Sequence, residues 1–258
     1  MKKLMILIGM LLIVMSLAAC GGSGSGAASA DKKTLVMGTS ADYPPYEYID
    51  TAKGSEVIGF DIDIAKQITT NLGYELEIKN MDFNSLIEAL KNDRVDFVMA
   101  GMTPTEKRKN SVDFSNIYYK AKQLIMTTDD NNIGSIDDLN GKKVAVQLGS
   151  IQEKEAEKIQ QQVDIEIVKL NKIPEIVQEL KSGRIDAMII EDAVAFGFLE
   201  KDQSLDTFEI KKPAEKTAGS AVAFQKNSHI KEAFNKELTK MKENGDLDKI
   251  AEKWFTTK

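Results

Sequence analysis

Three residues within one short stretch have side chains and spacing suited to holding an anion: Gly101, Thr103 and Arg108. They belong to the run Val95-Asp96-Phe97-Val98-Met99-Ala100-Gly101-Met102-Thr103-Pro104-Thr105-Glu106-Lys107-Arg108. Its apolar start suits a buried parallel strand, and Gly101 lets the backbone turn or approach a ligand closely. Thr103 as N-cap, Pro104 at the first helical position and Glu106 at the third predict a capping box, whose first-turn N–H groups attract anions. Arg108 adds a planar fork of donors that fits a carboxylate. The run is a candidate carboxylate clamp, with an ordinary capped helix and a solvated Arg108 as the alternative.

The elements that carry this clamp occur twice. Val144-Ala145-Val146-Gln147 predicts a second strand, Gly149 a turn, and Ser150-Ile151-Gln152-Glu153 a second capping box opening a helix. Moreover, Leu86-Ile87-Glu88-Ala89-Leu90-Lys91-Asn92-Asp93-Arg94-Val95-Asp96 aligns with Ile176-Val177-Gln178-Glu179-Leu180-Lys181-Ser182-Gly183-Arg184-Ile185-Asp186 at an offset of ninety. Each copy reads as a short helix leading into a buried strand. The same offset sets Gly101 opposite Glu191, so one α/β unit offers donors and the other a carboxylate at the strand ends where such sheets bind ligands. That pairing suits a zwitterion such as a free amino acid.

The N-terminus sets the compartment. Lys2 and Lys3 precede an apolar run over residues 4–19 that closes on Leu17-Ala18-Ala19-Cys20. This reads as a signal peptide, since a spanning helix needs roughly 20 apolar residues; an uncleaved anchor is the alternative. Residues 21–32 read as a tether, and the ten of Gly21 to Ala30 would span roughly 17 Å as a flexible coil. The whole chain has net charge −6, and removing the leader with its two lysines takes this to −8. An acidic surface excludes nucleic acid as a partner, because such binding needs a basic face. Cys20 is the only cysteine and His229 the only histidine. No disulfide can form within the mature chain, and no metal or cofactor motif is present.

The remaining elements fill two lobes, expected at residues 33–126 with 222–258 and at 127–221. The first opens with a strand over residues 34–38 and the loop Thr39-Ser40-Ala41-Asp42-Tyr43-Pro44-Pro45-Tyr46-Glu47-Tyr48, whose prolines would hold the aromatic rings with little entropy to lose. Tyr43 is expected at the ligand, and Tyr46 and Tyr48 in lobe packing. Phe60, Ile64, Ile68 and Leu72 predict an amphipathic helix stopped by Gly73, with Asp61 and Asp63 as helix-dipole partners. Phe83 is expected at the same rim as Gly101. Polar residues 127–132 and the segment 218–224 are expected to be the two crossings of a hinge, and the helical segment 229–255 to dock Trp254 and Phe255 on the first lobe.

Taken together, Gly38-Thr39 with Tyr43-Pro44-Pro45-Tyr46, Gly59-Phe60-Asp61, Ala100-Gly101-Met102-Thr103 with Arg108, Gly149-Ser150-Ile151-Gln152, and Asp186 five residues before Glu191 resemble the solute-binding lipoproteins of amino-acid ABC importers. The resemblance covers residues 34–255 and looks closest to the Gram-positive arginine-binding branch. It implies a type II periplasmic-binding-protein (Venus-flytrap) fold, two α/β lobes joined by a two-crossing hinge. It also implies that Leu17-Ala18-Ala19-Cys20 is a lipobox, with Cys20 lipidated and anchored to the membrane. Arg108, Thr103 and the Gly101 backbone would hold the guest α-carboxylate, joined by the Ile151 N–H. Glu191 would take the α-ammonium, Tyr43 and Phe83 would sandwich the side chain, and Gln152 would reach the cleft. Ala100 and Met102 flank the clamp. The chain has Ser40 where basic-specific members often carry an acid, and Ile151 where many relatives carry threonine. Gln147, Gln152 and Asp42 are the candidates to replace the missing acid.

The expected function is capture of a free L-amino acid, arginine or another polar or basic one, by hinge closure outside the cytoplasm, with delivery to the membrane subunits of an ABC importer. The protein would act as a monomer without a cofactor. A small-carboxylate dehydratase of the same fold, using Glu191 as general acid or base, and a sensory lipoprotein are the alternatives.

Overall fold

The computed structural model describes residues 33–211 and 219–255. The expected leader, Cys20 and tether lie outside the described residues.

The chain starts with β1 (Thr34–Thr39), a small meander of β2 (Asp42–Tyr43), β3 (Glu47–Asp50) and β4 (Glu56–Ile58), and helix α1 (Phe60–Asn71). Then come β5 (Glu75–Asn80), α2 (Leu86–Lys91), β6 (Phe97–Val98), the single turn α3 (Glu106–Lys109) and β7 (Asp113–Phe114). The second half holds β8 (Gln123–Thr128), β9 (Lys142–Gln147), α4 (Ile151–Gln160), β10 (Ile165–Leu170), α5 (Ile173–Lys181), β11 (Ala187–Glu191), α6 (Asp192–Leu199) and β12 (Leu205–Glu209). β13 (Ala223–Phe224), α7 (Lys231–Glu243) and α8 (Asp246–Phe255) finish the chain. The expected last helix is thus two, broken at Gly245, whose φ of 77° only glycine adopts readily.

Two five-stranded sheets form, ordered β5-β1-β6-β13-β7 and β10-β9-β11-β8-β12. In each, three parallel strands are followed by one that runs antiparallel to both its neighbours, and the fifth strand runs again with the first three. The repeat seen in the sequence is therefore structural, and its aspartates play the same part in both sheets. Asp96 Oδ2 accepts the Val36 N–H at 2.7 Å, and Asp186 Oδ2 accepts the Lys143 N–H at 2.8 Å. Both carboxylates satisfy an edge of the neighbouring strand. Asp93 and Gly183, also ninety apart, both take the left-handed conformation that lets the helix turn into the strand, with φ of 55° and 70°.

The inner strands are apolar without alternation because both faces are covered. Along β11, Ala187 and Ile189 enter one core while Met188 and Ile190 enter another. Val144 and Val146 of β9 divide from Ala145 in the same way, as period-two geometry requires.

One boundary is corrected. β8 was expected at the end of the first lobe, but it pairs with β11 and β12 in the second sheet. The chain therefore crosses earlier, after β7. There Tyr119 and Ser220 form an antiparallel bridge, with Tyr118 N–H donating to Ser220 O at 2.9 Å and Ser220 N–H to Tyr119 O at 2.8 Å. The outward crossing and the return run side by side. α8 docks as expected, with Phe255 against Phe60 at 4.6 Å between ring centroids and the Trp254 indole N–H donating to Asp63 at 2.8 Å.

Candidate functional site

The first wall grows from the end of β6. Gly101 has φ of 55°, and a Cβ there would come within 3.3 Å of the Tyr43 ring. Its N–H donates to Asp61 Oδ2 at 2.9 Å, and the Tyr118 hydroxyl donates to the same carboxylate at 2.8 Å. This corrects one expectation and adds to another. The Gly101 amide is committed to Asp61, so it cannot serve the guest carboxylate as well. Asp61, beyond lying in the first turn of α1, braces the ligand-side loop against the crossing strand.

Asp61 reaches this position because Phe60 N–H and Asp61 N–H donate to Pro45 O and Tyr46 O at 2.9 and 3.0 Å. Gly59 makes that contact possible. A Cβ at Gly59 would lie 2.1 Å from Tyr46 O, so the aromatic loop and the Gly59-Phe60-Asp61 motif form one unit.

The cap also moves. Thr105, not Thr103, caps α3, its hydroxyl accepting the Arg108 N–H at 3.3 Å. Pro104 precedes the helix instead of opening it. The Thr103 hydroxyl is buried and has no hydrogen-bond partner among the described residues. Arg108 Nη1 donates to Thr103 O at 2.8 Å and Nη2 to Gly149 O at 3.0 Å, while the guanidinium lies 5.2 Å from the Phe83 ring centroid. Arg108 therefore touches both halves of the molecule.

The second wall comes from the starts of α4 and α6. Ser150 caps α4, accepting the Glu153 N–H at 3.3 Å, and the Glu153 carboxylate accepts the Gly149 N–H at 2.8 Å, the predicted capping pattern shifted by one residue. The N–H of Ile151, first in the helix, has no acceptor within it. Glu191 ends β11 and precedes α6, yet its side chain makes no cap bond. It is 2% exposed, and Oε2 has no hydrogen-bond partner among the described residues. Burial pushes its carboxyl up to about 8, while the adjacent Tyr46 and Gln123 side chains pull it down.

These walls face one another across a narrow cleft. Ser40, Tyr43, Phe83, Ala100, Gly101, Thr103, Arg108, Gln147, Ile151, Gln152 and Glu191 all line it. Met102 does not: it is 1% exposed, packs in the core below, and lines an adjoining groove. Asp42, Glu47 and Ser150 complete the lining. Burial and then the neighbouring Asp61 push the Glu47 carboxyl well up, and burial takes Asp61 to about 7 and Asp42 to about 6. Glu47 was missed because an acid in a surface-like loop reads as solvated. Its only signal is its place beside Tyr46 in the stiff loop. Three carboxyl groups and one guanidinium therefore line the same cleft. Among the described residues no group of acidic, histidine or cysteine side chains could hold a metal.

Residues 35–257 match the model of the bacterial extracellular solute-binding proteins, family 3, and the chain belongs to this family. A relative of full length is the arginine-binding extracellular protein ArtP of Bacillus subtilis, 47% identical over 256 residues and matched over 99% of both chains. Among solved structures, an ancestral arginine-binding protein bound to arginine superposes with a TM-score of 0.81 at 41% identity, covering 87% of this chain and 99% of that one. The ancestral amino-acid-binding protein AncCDT-1, a precursor of cyclohexadienyl dehydratase, superposes at 0.78 with 36% identity, over 86% and 96%. These likenesses confirm the two-lobed, type II solute-binding fold.

Proposed function

We infer that the chain captures free L-arginine outside the cytoplasm and presents it to the membrane subunits of an ABC importer, as a monomer held to the membrane by a lipid on Cys20. The observation that carries this reading is the charge lining of the cavity. Arg108 matches the single carboxylate of an amino acid and Glu191 its ammonium. The acid left over at the wall, Asp42, calls for a second cation on the guest. Arginine brings two cations and one anion. The names of ArtP and of the arginine-bound ancestral structure support the choice.

Capture works by closure about the paired crossings near Tyr119 and Ser220. A guest held first by Arg108 and the Thr103 hydroxyl gains Glu191 and the Ile151 N–H only when the halves meet, so binding shifts the population toward the closed form. To test the reading, the purified protein is denatured, any co-purified amino acid is identified by mass spectrometry, and thermal shifts are measured across the twenty amino acids plus ornithine, citrulline and cystine. Arginine at 100 times its Kd should stabilise by about 2.7 kcal/mol, or roughly 5–11 °C. A larger shift with a neutral or acidic amino acid would refute it.

One observation favours a second reading. Glu191, titrating at about 8, is protonated at neutral pH and could serve as a general acid in a small-carboxylate dehydratase. Incubation with prephenate or arogenate, followed for product, separates the two.

A further inference from the structure

The position where an acid was expected holds Ser40, and the structure shows what its hydroxyl does. Ser40 Oγ donates to Asp42 Oδ1 at 2.9 Å. The other oxygen, Oδ2, faces the opposite half of the molecule. It accepts the Ile173 N–H at 3.2 Å and lies 3.5 Å from Gln147 Nε2. Ile173 opens α5, so its N–H needs an acceptor from outside the helix, and the positive end of the helix dipole favours a carboxylate there. Gln147 is itself held, its Nε2 donating to Asn171 O at 3.1 Å.

We propose that Asp42 reads the distal cation of the guest, oriented by the Ser40 hydroxyl, and that the same carboxylate ties the first half of the molecule to α5, so that side-chain recognition and closure run through one group. The inference deepens the arginine reading and rests on it. Asp42 stands out against the other candidates. Gln152 has turned its amide toward Gln123 Oε1, at 2.9 Å. Gln147 is neutral. Glu47 is wholly buried with Asp61 beside it. Asp42 is half-buried at the cavity wall. A carboxylate offers about four acceptor positions. Three donors approach Asp42, one of them at the long distance of 3.5 Å. A guanidinium fork can replace that long contact and take the remaining position, pairing in a geometry a neutral urea group cannot match in charge.

The test compares L-arginine with L-citrulline, which has nearly the same shape and a neutral side-chain end, by calorimetry on the mature protein. The wild type should prefer arginine by about 100-fold, the size of one charge-assisted pair. Asp42→Asn should reduce that preference to a few-fold, and Ser40→Ala should reduce it partway. A purely structural latch would weaken both ligands by one factor and leave the preference intact, and that result overturns the proposal. So does collapse of the preference in Glu47→Gln with Asp42→Asn unaffected, which would give the role to Glu47. If Asp42→Asn does not fold, Ser40→Ala and Asp42→Glu decide: the longer acid should keep a preference for arginine that Ser40→Ala loses in part, and an unchanged ratio in Ser40→Ala counts against the proposal. If the wild type binds neither ligand, the arginine reading itself falls.

Discussion

Replacing Arg108 with alanine removes three contacts at once: the bonds to Thr103 O and Gly149 O, and the guanidinium packed over Phe83. In the ligand-free protein the loss is small, since a typical hydrogen bond contributes about 1 kcal/mol net. The melting temperature should fall by a few degrees at about 2–4 °C per kcal/mol. In the complex the change is far larger. The guest carboxylate is left in a closed cavity facing three acids with no cation beside it, and truncating one partner of a buried charge pair costs about 2–5 kcal/mol. That corresponds to roughly one and a half to three and a half powers of ten in Kd. Arg108→Lys keeps the charge and loses the fork, so it should fall between. Isothermal titration with arginine reads all three proteins directly. A solvated surface arginine would instead change affinity by less than about 0.5 kcal/mol, and that outcome for Arg108→Ala would refute the clamp.

Glu191 gives the pH dependence. Its folded pKa of about 8 lies above the ordinary 4.5, so the native state holds the proton more tightly than the unfolded one. Ligand-free stability should therefore fall as pH rises through that window. A bound ammonium favours the ionised form, so arginine affinity should rise toward pH 8, by up to about tenfold per unit where one proton is released. Titrations at several pH values should show this slope and Glu191→Gln should make it shallower, leaving the part that Asp42, near 6, contributes; a flat wild-type profile contradicts the assignment. At the crossing, a Cβ on Gly219 would meet Ile117 Cγ2 at 2.8 Å and Tyr119 O at 2.9 Å. Gly219→Ala should cost about 1–3 kcal/mol through overpacking, visible as a lower melting temperature. Asp61→Ala strands the Gly101 N–H and the Tyr118 hydroxyl, each at about 1–3 kcal/mol. Denaturant melts should show the loss, and arginine should bind more weakly because the Gly101 loop is no longer braced.

Much of the architecture could be read from pattern because the chain states it twice. The matched runs ending at Asp96 and Asp186 mark equivalent helix-to-strand turns, and the structure gives both aspartates the same bond to a neighbouring strand. What escaped depends on pairing or on competition between equal signals. Leu124-Ile125-Met126 suits either sheet, and only its registers with β11 and β12 decide. Thr103 and Thr105 both qualify as caps. The helix begins at Glu106, so Thr105 is the one whose hydroxyl reaches the third N–H. Glu47 and Asp61 could not be foreseen as buried neighbours, because burying two acids together breaks the usual rule that charges stay in water. Such exceptions gather at binding sites.

The central claim is that opposite walls of one cavity read the two ends of an amino acid, Arg108 its carboxylate and Glu191 its ammonium, while a further acid reads a cationic side chain. The most direct test titrates the mature protein with L-arginine and with agmatine, which keeps the guanidinium and an amine but lacks the carboxylate. Arginine should bind at one site per chain and agmatine more weakly by two or more powers of ten, about the weight of a buried charge pair. Equal binding of the two would show that no carboxylate is being held, and would contradict the account.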